Sequence, residues 1–191
     1  GWQTRQAERN LQDRETARVE AFSFLLGQAL QNVGQDVALL ADNIDLQDYL
    51  AQGDPAALAR TSRRVQFLSH QHPAYDQIRY IDAAGREIIR VNQNGAVVPI
   101  GELQTQRNRP YFQHGIALPP RHLYISALDL NVDHGVIEHP LKPMLRFATP
   151  VFDANGQRRG IFIINYLADD IFRLLQKFAP DSHQRVRLLN S

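Results

Sequence analysis

The sequence predicts an α+β protein, in which one antiparallel sheet of about five strands is flanked by helices and preceded by a long N-terminal helix. Three observations predict this class. A stripe of apolar residues at steps of three and four runs from Val19 to Ile44, short turns containing glycine join strand pairs, and an amphipathic segment follows the 159–167 strand. At 191 residues, 43% of them hydrophobic, the chain is long enough to bury one core.

The first predicted element is a long helix within residues 1–45. Its apolar stripe consists of Val19, Phe22, Leu26, Leu30, Val33, Val37, Leu40 and Ile44. Upstream of this stripe charged residues occupy nearly every face, so that part is expected to project from the core or to pair with a second copy of the chain. A helix of roughly 40 residues is about 60 Å long, more than one small domain covers. The sequence therefore predicts a homodimer formed through this helix.

A second helix is predicted to begin at Asp54, which is a suitable N-cap because Pro55 follows at the first helical position. Leu58, Val65 and Leu68 give this helix an apolar face. It is expected to pack on the sheet that follows.

A hairpin comes next, with strands "QIRYID" and "REIIRVN" joined by a turn at Asp82 and Gly85. Its apolar contacts are expected from Ile78, Ile81, Ile88 and Val91. Arg79 and Arg90 lie inside these strands, and we interpret both as charges on a solvated face because that is where strands usually carry them. The hairpin is therefore predicted to be scaffold.

The last three strands are predicted at 122–130, 144–153 and 159–167. Asn155 and Gly156 form a strong hairpin turn between the final two. A closing helix, "ADDIFRLLQKF", and a further strand, "RVRLLNS", complete the chain. The predicted organisation is a helix at 1–45, a central domain at 46–180 and the start of a following strand or second lobe at 181–191.

Composition excludes several classes of function. The formal charge of +1 is far from the basic excess that binding a nucleic acid backbone requires. Without cysteine there is no disulfide, thiolate metal site or cysteine nucleophile. The sequence contains none of the common nucleotide-binding, hydrolase or zinc-protease motifs, and its seven histidines do not have the spacing of a metal site. No cofactor, metal or catalytic residue is predicted.

Four segments together carry a resemblance to a known family: "RYIDAAGREIIR", "RPYF", "LYISALDLN" and "LRFATPVFDANGQRRGIFIINY". With the helices around them they resemble the PAS-like extracytoplasmic sensor fold called Cache or PDC, as found in bacterial receptor histidine kinases and diguanylate cyclases. The resemblance covers roughly residues 20–180. It implies the periplasmic sensor domain of an inner-membrane protein that is not itself an enzyme, with a kinase or cyclase module elsewhere in the parent chain.

The resemblance also implies a ligand site. In amino-acid-binding Cache domains an arginine followed closely by two aromatics, a tyrosine on the next strand and two acids hold the ligand. Arg109, Tyr111 and Phe112 match the first part and Tyr124 matches the tyrosine, whereas Ser126 and Asn165 stand where the acids would be.

Without those acids an ammonium group taken out of water has no counter-charge, so the expected ligand is a small anionic or neutral molecule. Arg146 lies on a predicted central strand and is included among the candidate ligand-binding residues. The alternative to ligand contact is that Arg146 forms a structural ion pair with Asp129 or Glu138.

Two functions from other classes remain open. The chain could be an interaction module without a ligand, which predicts a filled core at Tyr124 and Asn165. It could also be a hydrolase with a loop site between Asp129 and Glu138, which predicts an acid-lined cleft there.

Overall fold

The computed structural model describes residues 1–130, 132–137 and 139–178. The strand predicted within 181–191 and the side chain of Glu138 lie outside the described residues. The described residues separate into two compact units, one made of residues 1–32 with 169–178, and one made of residues 33–168. No described helix is long and apolar enough to cross a membrane.

The described residues form five α-helices and two short 3-10 helices, the latter at Gln93–Gly95 and Ile100–Glu102. The α-helices are α1 (Trp2–Ala41), α2 (Ile44–Gln52), α3 (Pro55–Gln71), α4 (Pro110–Ala117) and α5 (Asp169–Phe178).

Nine strands are present in the described residues. They are β1 (Tyr75–Asp82), β2 (Glu87–Asn92), β3 (Ala96–Val97), β4 (Tyr124–Ile125), β5 (Asp129–Leu130), β6 (Val132–Asp133), β7 (Val136–Ile137), β8 (Pro143–Phe152) and β9 (Arg158–Leu167). The main sheet has the order β3-β2-β1-β9-β8-β4, with β5 also paired to β8, and β6 pairs with β7 in a separate small sheet. All the strand pairs are antiparallel.

The predicted antiparallel sheet with flanking helices is confirmed, with differences in detail. The strand predicted at 122–130 is divided into β4 and β5, which pair with different parts of β8. The two-residue β3 extends the edge beside β2. The main sheet therefore has more strands than the five predicted, but the additional strands are two-residue segments at its edges.

The N-terminal helix ends earlier than its apolar stripe suggests. Ile44, the last residue of that stripe, begins α2 and is 67% exposed. The cause is Asn43, whose Oδ1 accepts hydrogen bonds from the N–H groups of Asp45 and Leu46 at 2.9 and 3.2 Å. The Asn43 side chain therefore caps α2. The single helix predicted within 1–45 is divided here, because α1 ends at Ala41 and α2 begins at Ile44.

Local signals set the start of α3 and the β1–β2 turn. Asp54 is the N-cap of α3, as predicted, because its Oδ1 accepts a hydrogen bond from the N–H of Ala56 at 2.9 Å. Asp82 Oδ1 accepts from two N–H groups of the turn at 2.9 Å, and Gly85 has φ of 87°, a conformation in which other residues are strained. The hairpin therefore forms where the sequence predicts it.

The sheet has two covered faces, because successive side chains of a strand point to opposite sides. On one face α3 packs against β1 and β2. On the other, α4 packs against β8, β9 and β4. The second face carries the predicted site residues, so its core is described with the site.

Candidate functional site

The predicted site residues come from four segments, three of them aligned by the sheet register and the fourth packed on the sheet as the start of α4. Arg109, Tyr111 and Phe112 lie at the start of α4, Tyr124 and Ser126 lie in and just after β4, Arg146 lies on β8 and Asn165 lies on β9. Arg146 is directly opposite Asn165, and Tyr124 is directly opposite Ala148, two residues along β8. Directly opposite residues of antiparallel strands share a face, so these side chains belong to the α4 side of the sheet.

The start of α4 divides its residues between an apolar core and a polar cluster. Pro110 occupies the first helical turn, where its missing N–H costs nothing. Phe112 is buried in an apolar group with Ile81, Ala148, Ile161 and Ile163. Tyr111 is also part of this group, but its hydroxyl and ring face reach the charged side chains beside it.

Three guanidinium groups surround the ring of Tyr111. The Cζ atoms of Arg79, Arg146 and Arg109 lie 5.0, 5.4 and 5.8 Å from the ring centroid. Contacts of this kind attract a cation to the negative face of the ring, more strongly where water is excluded. Tyr111 is therefore the centre of a positively charged group of side chains.

We define the arginine cluster as four arginines, the polar side chains that contact them, and the glutamine that hydrogen-bonds to two of those side chains. Its members are Arg79, Arg90, Arg109, Arg146, Glu87, Gln106, Tyr111, Asp129 and Asn165.

Asn165 and Tyr111 connect the strands to the α4 segment through Arg79. Arg79 Nη1 donates to the Tyr111 hydroxyl at 3.0 Å, and Arg79 Nη2 donates to Asn165 Oδ1 at 3.1 Å. The Tyr111 hydroxyl donates in turn to Gln106 Oε1 at 2.8 Å. Asn165 Nδ2 donates to Gln77 Oε1 at 3.4 Å, so Asn165 occupies a hydrogen-bonded position in the core.

Glu87 is the buried carboxylate of the cluster. Its oxygens accept from Gln106 Nε2 at 2.9 Å and from the N–H of Gln104 at 3.0 Å. They also lie 3.4 Å from Arg79 Nη1 and 3.9 Å from Arg90 Nη1. Burial works to lower the pKa of Arg79, but its interactions with Tyr111 and Glu87 raise that pKa above the ordinary value, so Arg79 stays charged.

Arg146 is even more buried and has a more exposed partner. Its side chain is 2% exposed and its Nη1 contacts Oδ1 of Asp129, whose side chain is 55% exposed. The predicted ion pair of Arg146 with Asp129 is therefore present. The Nε atoms of Arg79 and Arg146 are buried and have no hydrogen-bond partner within the described part of the chain.

The interpretation of Arg79 and Arg90 as solvated charges is wrong. They are 3% and 8% exposed, because the segment around Gln106 and the start of α4 cover this face of the hairpin. Arg79, Glu87 and Gln106 are the site residues that sequence reasoning missed. The only local signal for these residues is that Arg79 alternates with apolar neighbours on β1. This alternation shows that Arg79 points to the face opposite its neighbours, but it does not show which segment covers that face.

Two predicted residues lie beside the hydrogen-bonded network. Ser126 Oγ accepts from the N–H of Arg146 at 2.9 Å and donates to the carbonyl of Ala127 at 2.8 Å, so it secures the edge of the sheet. The half-buried ring of Tyr124 stacks on His114 with centroids 5.2 Å apart. Ser126 therefore supports the backbone of Arg146, and Tyr124 adjoins the apolar group.

Two cavities are described in the unit of residues 33–168, and neither is lined by a predicted site residue. One, of about 510 Å³, lies between the end of α2 and the β1–β2 turn and includes Tyr49, Tyr80 and Arg159. The side chains of the arginine cluster instead make hydrogen bonds and ion pairs with one another.

The family model for the sensor domain of bacterial histidine kinases matches residues 27–191. No curated protein matches the chain significantly. Among solved structures, the extracellular domain of vpHK1S-Z8, a protein named as a histidine kinase, is 25% identical with a TM-score of 0.68 over 85% of this chain and 61% of that one.

Two further solved structures have the same fold. A domain of a sensory box/GGDEF family protein from Vibrio parahaemolyticus is 25% identical, with a TM-score of 0.65 over 81% of this chain and 61% of that one. The sensory domain of the Campylobacter jejuni chemoreceptor Tlp3, with isoleucine bound, is 10% identical, with a TM-score of 0.64 over 91% and 66%. The chain thus spans about three fifths of the first two structures and shares only its fold with the third.

Proposed function

Because the chain belongs to the family of bacterial histidine kinase sensor domains, we propose that it is the extracytoplasmic part of a membrane-bound receptor and that it binds a small carboxylate or similar anion at the arginine cluster. The sensor domain itself carries no catalytic role in this proposal. A kinase or cyclase module belongs to the parent chain, and the ligand changes that module's activity.

The observation that carries the proposal is the pair of buried, incompletely paired arginines. Arg79 and Arg146 both lie against Tyr111, and each has a buried Nε without a partner in the described part of the chain. A buried donor without a partner costs about 1–3 kcal/mol. A carboxylate matches the guanidinium fork and would remove that cost, which favours an anionic ligand.

The electrostatics disfavour an amine. The cluster contains four guanidinium groups but only the carboxylates of Glu87 and Asp129. Glu87 is already engaged by Gln106, the Gln104 N–H and Arg79. Ser126 and Asn165 are neutral, so an ammonium ion entering here would lose its hydration without gaining a free counter-charge. Isoleucine is a ligand of Tlp3, but that structure resembles this one in fold alone.

An interaction module without a ligand is the second candidate, and one observation favours it. Asn165 and Tyr111 are satisfied by neighbouring side chains, which is what a filled, non-binding core would show. In that case the N-terminal helix would provide assembly and the cluster would only stabilise the fold.

A melting-temperature screen of the purified chain against organic acids, amino acids, amines and inorganic phosphate separates these candidates. A ligand at about 100 times its dissociation constant adds roughly 2.7 kcal/mol to stability, which corresponds to about 5–10 °C for a chain of this size. We expect carboxylates to give such a shift and amines to give none. Shifts from amines alone would refute the anion site, and no shift from any compound would favour the interaction module.

The wider architecture of the receptor belongs to the same proposal. In this proposal the helical segment at 1–45, which contains α1 and the start of α2, links to the membrane and pairs with a second copy. Residues 46–180 form the sensor domain, and 181–191 start a following strand or second lobe. The exposed apolar residues of α1 support pairing, since Trp2, Leu11, Val19 and Phe24 are all more than half exposed.

A further inference from the structure

Asp129 and Arg146 form an unequal ion pair. The guanidinium is almost fully buried, whereas the carboxylate side chain is 55% exposed. Arg146 lies in the interior of β8, directly opposite Asn165, and its N–H donates to Ser126 Oγ. Its position is therefore fixed by the sheet on both sides.

Asp129 is held far less firmly. It belongs to the two-residue strand β5, whose register with β8 consists of Asp129 opposite Met144 and Leu130 opposite Pro143. Leu128, just before this strand, is exposed. A short edge strand of this kind opens at a small fraction of the cost of opening the central sheet.

The pairing is also incomplete on the arginine. Asp129 contacts Nη1 of Arg146, while the buried Nε has no hydrogen-bond partner within the described part of the chain. Arginine and carboxylate groups fit best when two parallel N–H donors meet two oxygens. A free carboxylate that reached Arg146 could also accept a hydrogen bond from Nε. Moving Asp129 fully into water would cost little, because its side chain is already half exposed.

We propose that Asp129 is a tethered carboxylate that occupies the anion site in the unliganded protein and that an incoming ligand carboxylate displaces it from Arg146. The inference rests on the proposed carboxylate-binding function. Displacement releases β5 from β8, so ligand binding at the buried cluster loosens an exposed strand at the edge of the sheet. Asp129 lowers the apparent affinity for the ligand because the two carboxylates compete for one guanidinium.

The test uses acetate and succinate as probes on the full chain. Calorimetric titration compares the wild type with Asp129→Asn and with Glu102→Gln, an exposed control that removes the same charge. We expect Asp129→Asn to bind a probe at least fivefold more tightly and Glu102→Gln to bind as the wild type does. Circular dichroism checks that both variants are folded.

Hydrogen exchange, measured in the wild type and in Asp129→Asn, separates displacement from a general charge effect. In the wild type, the probe should accelerate exchange of the Asp129 and Leu130 amides, while the centre of the sheet exchanges more slowly. In Asp129→Asn these amides should already exchange quickly without probe. A general charge effect predicts no local acceleration.

Two results would overturn the inference while leaving the proposed function intact: equal or weaker binding by Asp129→Asn, or slower exchange at β5 when the probe binds. Failure of the proposed function looks different. In that case none of the acids in the screen raises the melting temperature of the wild type or of Asp129→Asn. Asp129 then has no ligand to compete with.

Discussion

At the scale of single residues, Tyr111 organises the cluster. Its hydroxyl accepts from Arg79 and donates to Gln106, and its ring lies within 6 Å of three guanidinium groups. The phenol thus supports charges that would otherwise be costly to bury. Glu87 provides the only fully buried carboxylate among the described cluster residues, so the stability of the site depends on it.

Replacing Glu87 by glutamine should destabilise the protein strongly. The change leaves Arg79 buried without its charge partner, and breaking a buried pair in this way costs about 3–5 kcal/mol. Urea denaturation measures the free energy of unfolding. Glu102→Gln is the exposed control and should change the free energy of unfolding little. A loss below about 1 kcal/mol for Glu87→Gln would show that the Arg79–Glu87 pair contributes little to stability.

The turn carboxylate Asp153 should make stability depend on acid pH. Hydrogen bonds from the N–H of Gln157, from the Arg159 side chain and from the N–H of Asn155 lower its pKa, although partial burial opposes them. The stabilisation is present above the ordinary aspartate pKa of about 3.9 and is lost as pH falls through the lower folded value.

Melting temperatures of the wild type and Asp153→Asn, measured between neutral pH and pH ~3, check this dependence. The wild type should melt higher at neutral pH, and the difference should shrink as the solution becomes more acidic than the ordinary aspartate pKa. Asp42→Asn, which changes an exposed acid beyond the end of α1, is the control. A difference that stays constant over this range would contradict the assigned role of the Asp153 charge.

At the scale of elements, the break between α1 and α2 positions the helices that cover one face of the sheet. Asn43 is buried and caps α2, and the side chain of Gln47 on that helix donates to the carbonyl of Phe152 at 2.9 Å. Arg159 donates to the carbonyl of Leu50 at the other end of α2. The helix is thus tied to the β8–β9 hairpin at both ends.

Replacement of Asn43 by alanine should therefore lower the free energy of unfolding by about 1 kcal/mol, the usual cost of losing an N-cap. Asp42→Ala, one residue earlier and exposed, should have almost no effect. Chemical denaturation of the two variants provides the comparison. Equal effects would mean that the cap does not stabilise this junction.

The elements also show what a sequence can predict. Asp54, Asp82 and Gly85 have roles decided within a few residues, and the structure confirms them. The burial of Arg79 and Arg90 is decided by contacts with segments distant in sequence, such as Gln106, so strand alternation alone does not predict it. The strand segments of the site could be predicted to lie together, because strand register determines which residues are opposite each other. The hydrogen bonds of the cluster could not, because they depend on side chains such as Gln106 that no local pattern identifies.

At the scale of the whole molecule, the proposal assigns the N-terminal helix the link between the sensor domain and the membrane. Exposed apolar side chains such as Leu11 and Val19 are costly on an isolated helix and favour pairing with a second copy. We therefore place the homodimer contact on this helix as part of the proposal.

Glutamate at both Leu11 and Val19 should weaken self-association by about tenfold or more, since two charges would enter an apolar seam. Sedimentation equilibrium over a range of concentrations measures the dissociation constant. Phe67→Glu, which changes an equally exposed apolar residue on α3, is the control. Unchanged association of the double variant would place the contact elsewhere.

The most direct test of the central claim is calorimetric titration of wild type, Arg146→Met and Arg63→Met with the carboxylate that gives the largest thermal shift. Arg63 is an exposed arginine on α3, so its variant controls for lost charge. The account predicts that Arg146→Met binds at least tenfold more weakly and that Arg63→Met binds like the wild type, because Arg146 contacts the ligand and Arg63 does not. Equal affinity of all three proteins would contradict it.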